Sequence, residues 1–339
     1  MPKPRISRRG GQLGCRLLKG AEMATSSSSS IVSRSTQVGL LAGAVADWAA
    51  GDPRRGHPVA GFGAVAAALE RRWWRPSRPA GVAYVAVLVG GAAAAVAVVD
   101  RSLGRRKAAR VLLLALVTWA ALGGRSLAEA GHQLAEAVRC GDLEAARRLA
   151  PTLVGRDPSR LDGPELCRAA LESVAENTAD AVVGPLLWGV VAGPAGVAAY
   201  RAANTLDAMV GHHSLRYERF GWAAARLDDT LTWPAARLGA GLACLLAPLV
   251  GGEAGRAWRT LWRDGGAHPS PNAGRMEAAF AGALEVRLGG TNRYGDRVEQ
   301  RPILGGGPVP GPDDVDRAVR LSLLVGSAAA VLAVLVGRR

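Results

Sequence analysis

Glu172, Glu176 and Asp180 are spaced i, i+4, i+8, so a helix sets their three carboxylates in one row. Asn177 sits beside them, and an apolar run without a charge follows from 181 to 200. Beyond that run Tyr200, Asn204 and Asp207 fall on one helical face, with Arg201 adjacent. Acid groups pressed against an apolar span are costly unless they bind something. Oxygen donors suit the hard Mg²⁺ ion, which makes Glu172, Glu176 and Asp180 candidate metal ligands and, with Asp207, candidate catalytic carboxylates. The plainer reading of a charge row is a solvated helix face. Its position against a bilayer-length apolar run argues for the site.

Further groups are presented by loops. Asp52 and His57 lie in the Gly51-Asp52-Pro53 and His57-Pro58-Val59 turns, where the plain alternative is a capped turn. Arg226 precedes Asp228-Asp229, a second place for a magnesium–phosphate contact or, more plainly, charges at a helix start. Asn272 lies in Ser270–Gly274, and Asn292, Arg293 and Tyr294 in the glycine-rich 289–295 stretch. Such turns offer backbone N–H groups to an anion such as phosphate. Neither is a GxxxxGK[ST] loop and no lysine occurs in these motifs, so arginines, backbone and metal must hold any nucleotide. Asn177, Arg201 and Asn204 complete the candidate substrate-binding set.

The elements that must position these groups read as apolar helices. The chain of 339 residues is 49% apolar but only 5% aromatic, so Ala, Val, Leu and Gly fill it, as in closely packed membrane helices. Uncharged or nearly uncharged runs at 82–99, 111–124, 181–203, 231–252 and 321–336 are candidate spans, with an arginine-rich hairpin after the first. Residues 38–50 are shorter and carry Asp47, which suggests a partial or re-entrant span. Residues 126–150 read as one soluble amphipathic helix, and 253–318 as a long Gly/Pro-rich ligand loop. The expected fold is therefore all-α and polytopic, with about four to six apolar helices. Residues 1–37, basic and then serine-rich, lack any apolar run and read as a disordered extension, the true start lying at Met23 or later; 38–339 form a single membrane-embedded domain.

The net charge of +14 is scattered arginine without a basic, aromatic-interleaved stripe, which argues against nucleic acid. Four cysteines without paired or ligand spacing indicate a reduced chain. His212 and His213 are adjacent, so on a helix their rings diverge by about 100° and do not share a zinc ion.

Taken in order, GDPRRGHPV (51–59), ESVAENTADAVVGPLLW (172–188), YRAANTLDAMVG (200–211), RYERFGWAAARLDD (216–229), SPNAG (270–274) and LGGTNRYG (288–295) resemble the CobD/CbiB family, the adenosylcobinamide-phosphate synthases. The resemblance covers about 40–337. It implies a multi-pass enzyme of the cell membrane that uses ATP and Mg²⁺ in cobalamin biosynthesis. Such an enzyme joins adenosylcobyric acid to (R)-1-aminopropan-2-ol or its O-phosphate, giving adenosylcobinamide or its phosphate. Its partners would be these substrates, membrane lipid and other cobalamin-biosynthesis enzymes. The chain departs from the family pattern at Arg275-Met276, where Trp-Pro is usual, at 305–307, where Gly-Asp-Gly is frequent, and at 212–215. Two other classes stand beside this one. A transporter of a corrinoid or other anionic solute would also place polar groups between broken helices, although no internal repeat links the two halves. A docking scaffold would not need six polar motifs.

Overall fold

The computed structural model describes residues 34–336, apart from 54, 55, 156, 213, 295 and 296. The expected extension thus lies almost wholly outside the described residues, and the first helix among those described, α1 (Arg34–Ala50), opens four residues before Val38. Eleven further α-helices follow among the described residues: α2 (Pro58–Trp73), α3 (Arg78–Ser102), α4 (Lys107–Ala121), α5 (Gly124–Arg139), α6 (Leu143–Leu149), α7 (Gly163–Thr178), α8 (Gly184–Leu206), α9 (Trp222–Leu246), α10 (Ala254–Asp264), α11 (Ala273–Leu284) and α12 (Pro312–Leu335). One antiparallel hairpin, β1 (Leu288–Tyr294) and β2 (Arg297–Leu304), precedes α12, with a register irregularity between Leu288 and Gly290.

Among the described residues, five helical stretches are long and apolar enough to cross a membrane: Arg78–Ser102, Lys107–Arg139, Gly163–Gly211, Trp222–Val250 and Pro312–Leu335. The all-α polytopic reading holds, and many large apolar side chains face outward, among them Val45, Val98, Leu112, Val191 and Val331. A lipid-facing surface is apolar, as that arrangement requires. Small residues bring helices together. A Cβ on Gly43 of α1 would stand 2.6 Å from Thr118 Cβ and 2.8 Å from the Ala115 carbonyl oxygen of α4, so α4 packs against a position that carries no side chain.

Three expectations need correction. The 181–203 run does not cross in one pass: α8 reverses at Ala192–Gly193, where Gly193 takes φ 62° and Pro194 opens the returning limb. A Cβ on Gly184 would lie 2.2 Å from Tyr200 Cζ, and one on Gly189 would lie 3.1 Å from Val197 Cγ2, so the two limbs pack antiparallel. Left-handed φ without a side-chain clash is what glycine supplies at such a reversal. The segment 126–150 is not one helix; α5 ends at Arg139, and Gly141, at φ 76°, precedes the Asp142 cap of α6. The expected 253–318 loop holds α10, the buried α11 and the β-hairpin, because Ala- and Gly-rich 273–284 packs closely enough to be core.

The main core joins α7, α9, α11 and α12 through residues such as Leu171, Val183, Met276, Phe280 and Val319. A second cluster under α5, α6 and α7 includes Leu134, Leu166 and Cys167, and a third joins Tyr84 and Phe220 beneath the 207–211 turn. Asp162 and Glu165 form a capping box that fixes the start of α7, the helix that carries the carboxylate row.

Candidate active site

The carboxylate row is straight only as far as Glu176. A π turn, Ala179–Val183, interrupts the helix behind it, and a second, Asp207–Gly211, ends α8. Each widens the backbone by one residue per turn, a distortion that often marks functional sites. The first turns Asp180 toward the returning limb of α8, where Asn204 Nδ2 donates to Asp180 Oδ2 (3.4 Å) and to Asp228 Oδ1 of α9 (3.3 Å). The reversal at Gly193 therefore brings both ends of the apolar run to one place.

That place is a cavity of about 170 Å³ whose polar lining includes Glu176, Asp180, Asp207, Asp228, Asp229, Ser270 and Asn272. The charges of Glu176, Asp180, Asp207 and Asp228 act on one another across it. Arginines hold its rim through polar partners. Arg201 Nη1 donates to Asn204 Oδ1 (3.1 Å), and Arg237 Nη1 to Asn272 Oδ1 (2.9 Å). Asn272 is buried and donates through Nδ2 to the Asp229 carbonyl (2.8 Å), which locks the start of α11 against α9. Ser270 Oγ accepts from Ala273 N (3.1 Å) at the same helix start.

Arg301 of β2 is close enough for its charge to act on Glu176, and its Nη1 contacts His268 Nε2 at 2.8 Å. The other ring nitrogen, Nδ1, accepts from Ser270 N (3.0 Å) and lies 3.4 Å from the Ser270 carbonyl oxygen. Burial, and then the Arg301 charge, hold the His268 imidazole below its ordinary value of 6.5.

Glu172 lies apart from the cavity lining. Its Oε1 accepts from Gly289 N (2.9 Å) and faces Arg168 Nη1 at 3.4 Å. Arg168 also donates to the Gly289 carbonyl, to Asn292 Oδ1 (3.1 Å) and to the Thr291 carbonyl (2.9 Å). Glu172 and Asn292 thus belong to one polar knot that ties the β-hairpin to α7. Asn177 Nδ2 turns back to the Ser173 carbonyl (2.9 Å), away from the lining residues. Asp52 pairs with His57 Nε2 (3.3 Å) while His57 Nδ1 caps α2 by accepting from Val59 N (3.1 Å); the Asp52 charge reaches Arg201. Arg226 is exposed one turn before Thr230, and its charge acts on Asp229. Arg293 and Tyr294 lie in β1 beside Gly295, which is outside the described residues, as are Arg54, Arg55 and His213 of other motifs.

Asp228, named in the sequence only as half of a pair, is a central member of the cavity. Arg168, Arg237, His268 and Arg301 carried no sequence signal as isolated residues; their neighbours in sequence, Glu172, Asn272 and the glycine turns, were the nearest pointers.

A family model described as CobD/Cbib protein matches residues 40–322. The chain is 54% identical over 301 residues to the Cobalamin biosynthesis protein CobD of Mycobacterium tuberculosis (strain ATCC 25618 / H37Rv), covering 88% of this chain and 95% of the relative. It is 44% identical over 272 residues to the protein of that name from Rhodobacter capsulatus (79% and 85% covered), and 42% over 276 residues to that from Chromobacterium violaceum (80% and 87%). No solved structure matches.

Proposed function

The chain belongs to the CobD/CbiB family, and from that premise we propose that it is an ATP-dependent amide ligase of the cell membrane. A role in cobalamin biosynthesis follows from the membership. In the proposed reaction a carboxylate of adenosylcobyric acid is joined to (R)-1-aminopropan-2-ol or its O-phosphate. The observation that carries the reading is the convergence of five carboxylates in one small cavity rimmed by Arg201, Arg237 and Arg301.

A free carboxylate at neutral pH does not condense with an amine unaided. In the proposed route its oxygen attacks the γ-phosphorus of ATP, forming one P–O bond as the bond to the ADP oxygen breaks. The amine nitrogen then attacks the acyl carbon; the C–N bond forms, phosphate leaves, and the amine proton passes to a cavity carboxylate. Catalysis of phosphoryl transfer is mostly positioning and charge neutralisation, the task assigned here to Arg201, Arg226, Arg237 and Arg301. A cavity of about 170 Å³ admits phosphates but not a corrinoid, so the ring rests outside its mouth with one side chain reaching in.

The donor set fits Mg²⁺, because the polar side chains lining the cavity offer carboxylate, hydroxyl and carboxamide oxygens, with no His or Cys among them. Among the described residues no three or more His, Cys, Asp or Glu side chains close into a metal cage. Mg²⁺ commonly uses one or two carboxylates and completes its shell with water and phosphate oxygens. Asp180 and Asp228, which share Asn204, would hold it, with Glu176 acting through its water shell, and when bound it would neutralise phosphate charge. Glu172 is assigned instead to positioning the β-hairpin.

The test is a product assay in detergent micelles with adenosylcobyric acid, ATP, Mg²⁺ and each amine form. The expected result is one amide and one phosphate per ADP. Absence of amide with both amines, alongside corrinoid accumulation in vesicles, would replace the ligase by a transporter.

A further inference from the structure

A second cavity, of about 380 Å³, opens between α1 and α12, where Leu41 and Val45 face Leu323 and Val331. All four side chains are also exposed outward, so the groove is open along the apolar surface that faces lipid. One end is polar. Asp47 lines it and is 6% exposed, with Oδ2 toward the start of α5 at Arg125 N (3.4 Å). Its Oδ1 is buried and has no hydrogen-bond partner among the described residues.

The neighbouring cation does not supply that partner. Arg125 donates through Nη1 to the Trp48 and Ala49 carbonyls (2.9 and 3.1 Å) and through Nε to Glu129 (2.7 Å). A buried carboxylate oxygen without a donor is costly, so the groove calls for a ligand that brings a hydrogen-bonding cation to this end and apolar chains to the rest. We propose that the α1/α12 groove binds an aminophospholipid, its primary ammonium donating to the Asp47 carboxylate, its phosphate beside Arg125 and its acyl chains between α1 and α12. A free three-carbon amino alcohol would leave the apolar walls unmatched. The exposed Trp48 at the polar end suits the headgroup level of a bilayer. This site is separate from the acidic cavity, since Val182 faces it while Asp180 faces the other, and it does not depend on the ligase reading.

The experiment is native mass spectrometry of delipidated protein in detergent, titrated with phosphatidylethanolamine and phosphatidylcholine of identical chains. A trimethylammonium cannot donate, so the wild type should retain the ethanolamine lipid about tenfold better, the size of one charged hydrogen bond. Asp47→Asn keeps an acceptor for the α5 start and should bring the two lipids within about twofold of each other on the same scale. Equal retention by the wild type, which needs no variant, overturns the proposal. So does a preference that survives in folded Asp47→Asn, or free ethanolamine bound as tightly as the lipid.

Discussion

Asn204 Nδ2 stands 3.4 Å from Asp180 Oδ2, although 24 residues separate them. A straight helix would hold them about 36 Å apart at its ordinary rise. The contact exists because α8 doubles back at Gly193, and the acidic cavity exists because of the contact.

Glu176→Gln keeps the size of the side chain and removes its charge. Turnover should fall about a hundredfold or more, as when a key electrostatic contact is lost, with the apparent Mg²⁺ requirement raised. Glu172→Gln should leave the Mg²⁺ requirement unchanged while lowering thermal stability, since it removes the charge that faces the buried Arg168 guanidinium at 3.4 Å. Equal Mg²⁺ dependence in the two variants would contradict this division of labour.

Gly184→Ala tests the reversal directly. Its Cβ would fall 2.2 Å from the ring of Tyr200, which is fully buried and bonded through its hydroxyl to Thr232 (3.1 Å). Overpacking of this kind costs about 1–3 kcal/mol, read as a lowered unfolding temperature in detergent. An unchanged transition would mean that the two limbs of α8 are not in contact.

His268 sets a pH dependence. Its proton affinity is lowered in the fold, by burial first and then by Arg301. The unfolded chain therefore takes up the proton first as pH falls through about 6.5. Stability is present above that pH and is lost as pH falls toward and through the lower folded value. His268→Gln should flatten the slope of stability against pH between 7 and about 5; a slope identical to wild type would sink the assignment.

Alkaline carbonate extraction checks the placement of the five apolar stretches. The protein should remain in the pellet and require detergent, because their outward faces are apolar. Folded protein in the soluble fraction would refute it.

Composition and hydropathy were enough to read an all-α membrane chain, because apolar runs of bilayer length have few other uses. Spacing alone was enough to pick out Glu176, Asp180, Asn204, Asp207 and Asp229, since carboxylates and carboxamides beside such runs are costly without a ligand. Which of them meet was decided by tertiary structure. Periodicity assumes a continuous helix, so it set Glu172 in one row with Asp180 and carried 181–203 across the bilayer. The π turns at 179–183 and 207–211 and the reversal at Gly193 broke that assumption. Arg168, Arg237, His268 and Arg301 were illegible for another reason. Each acts through a partner at least 33 residues away, Gly289, Asn292, Asn272 or one another, and no local pattern encodes a contact of that range.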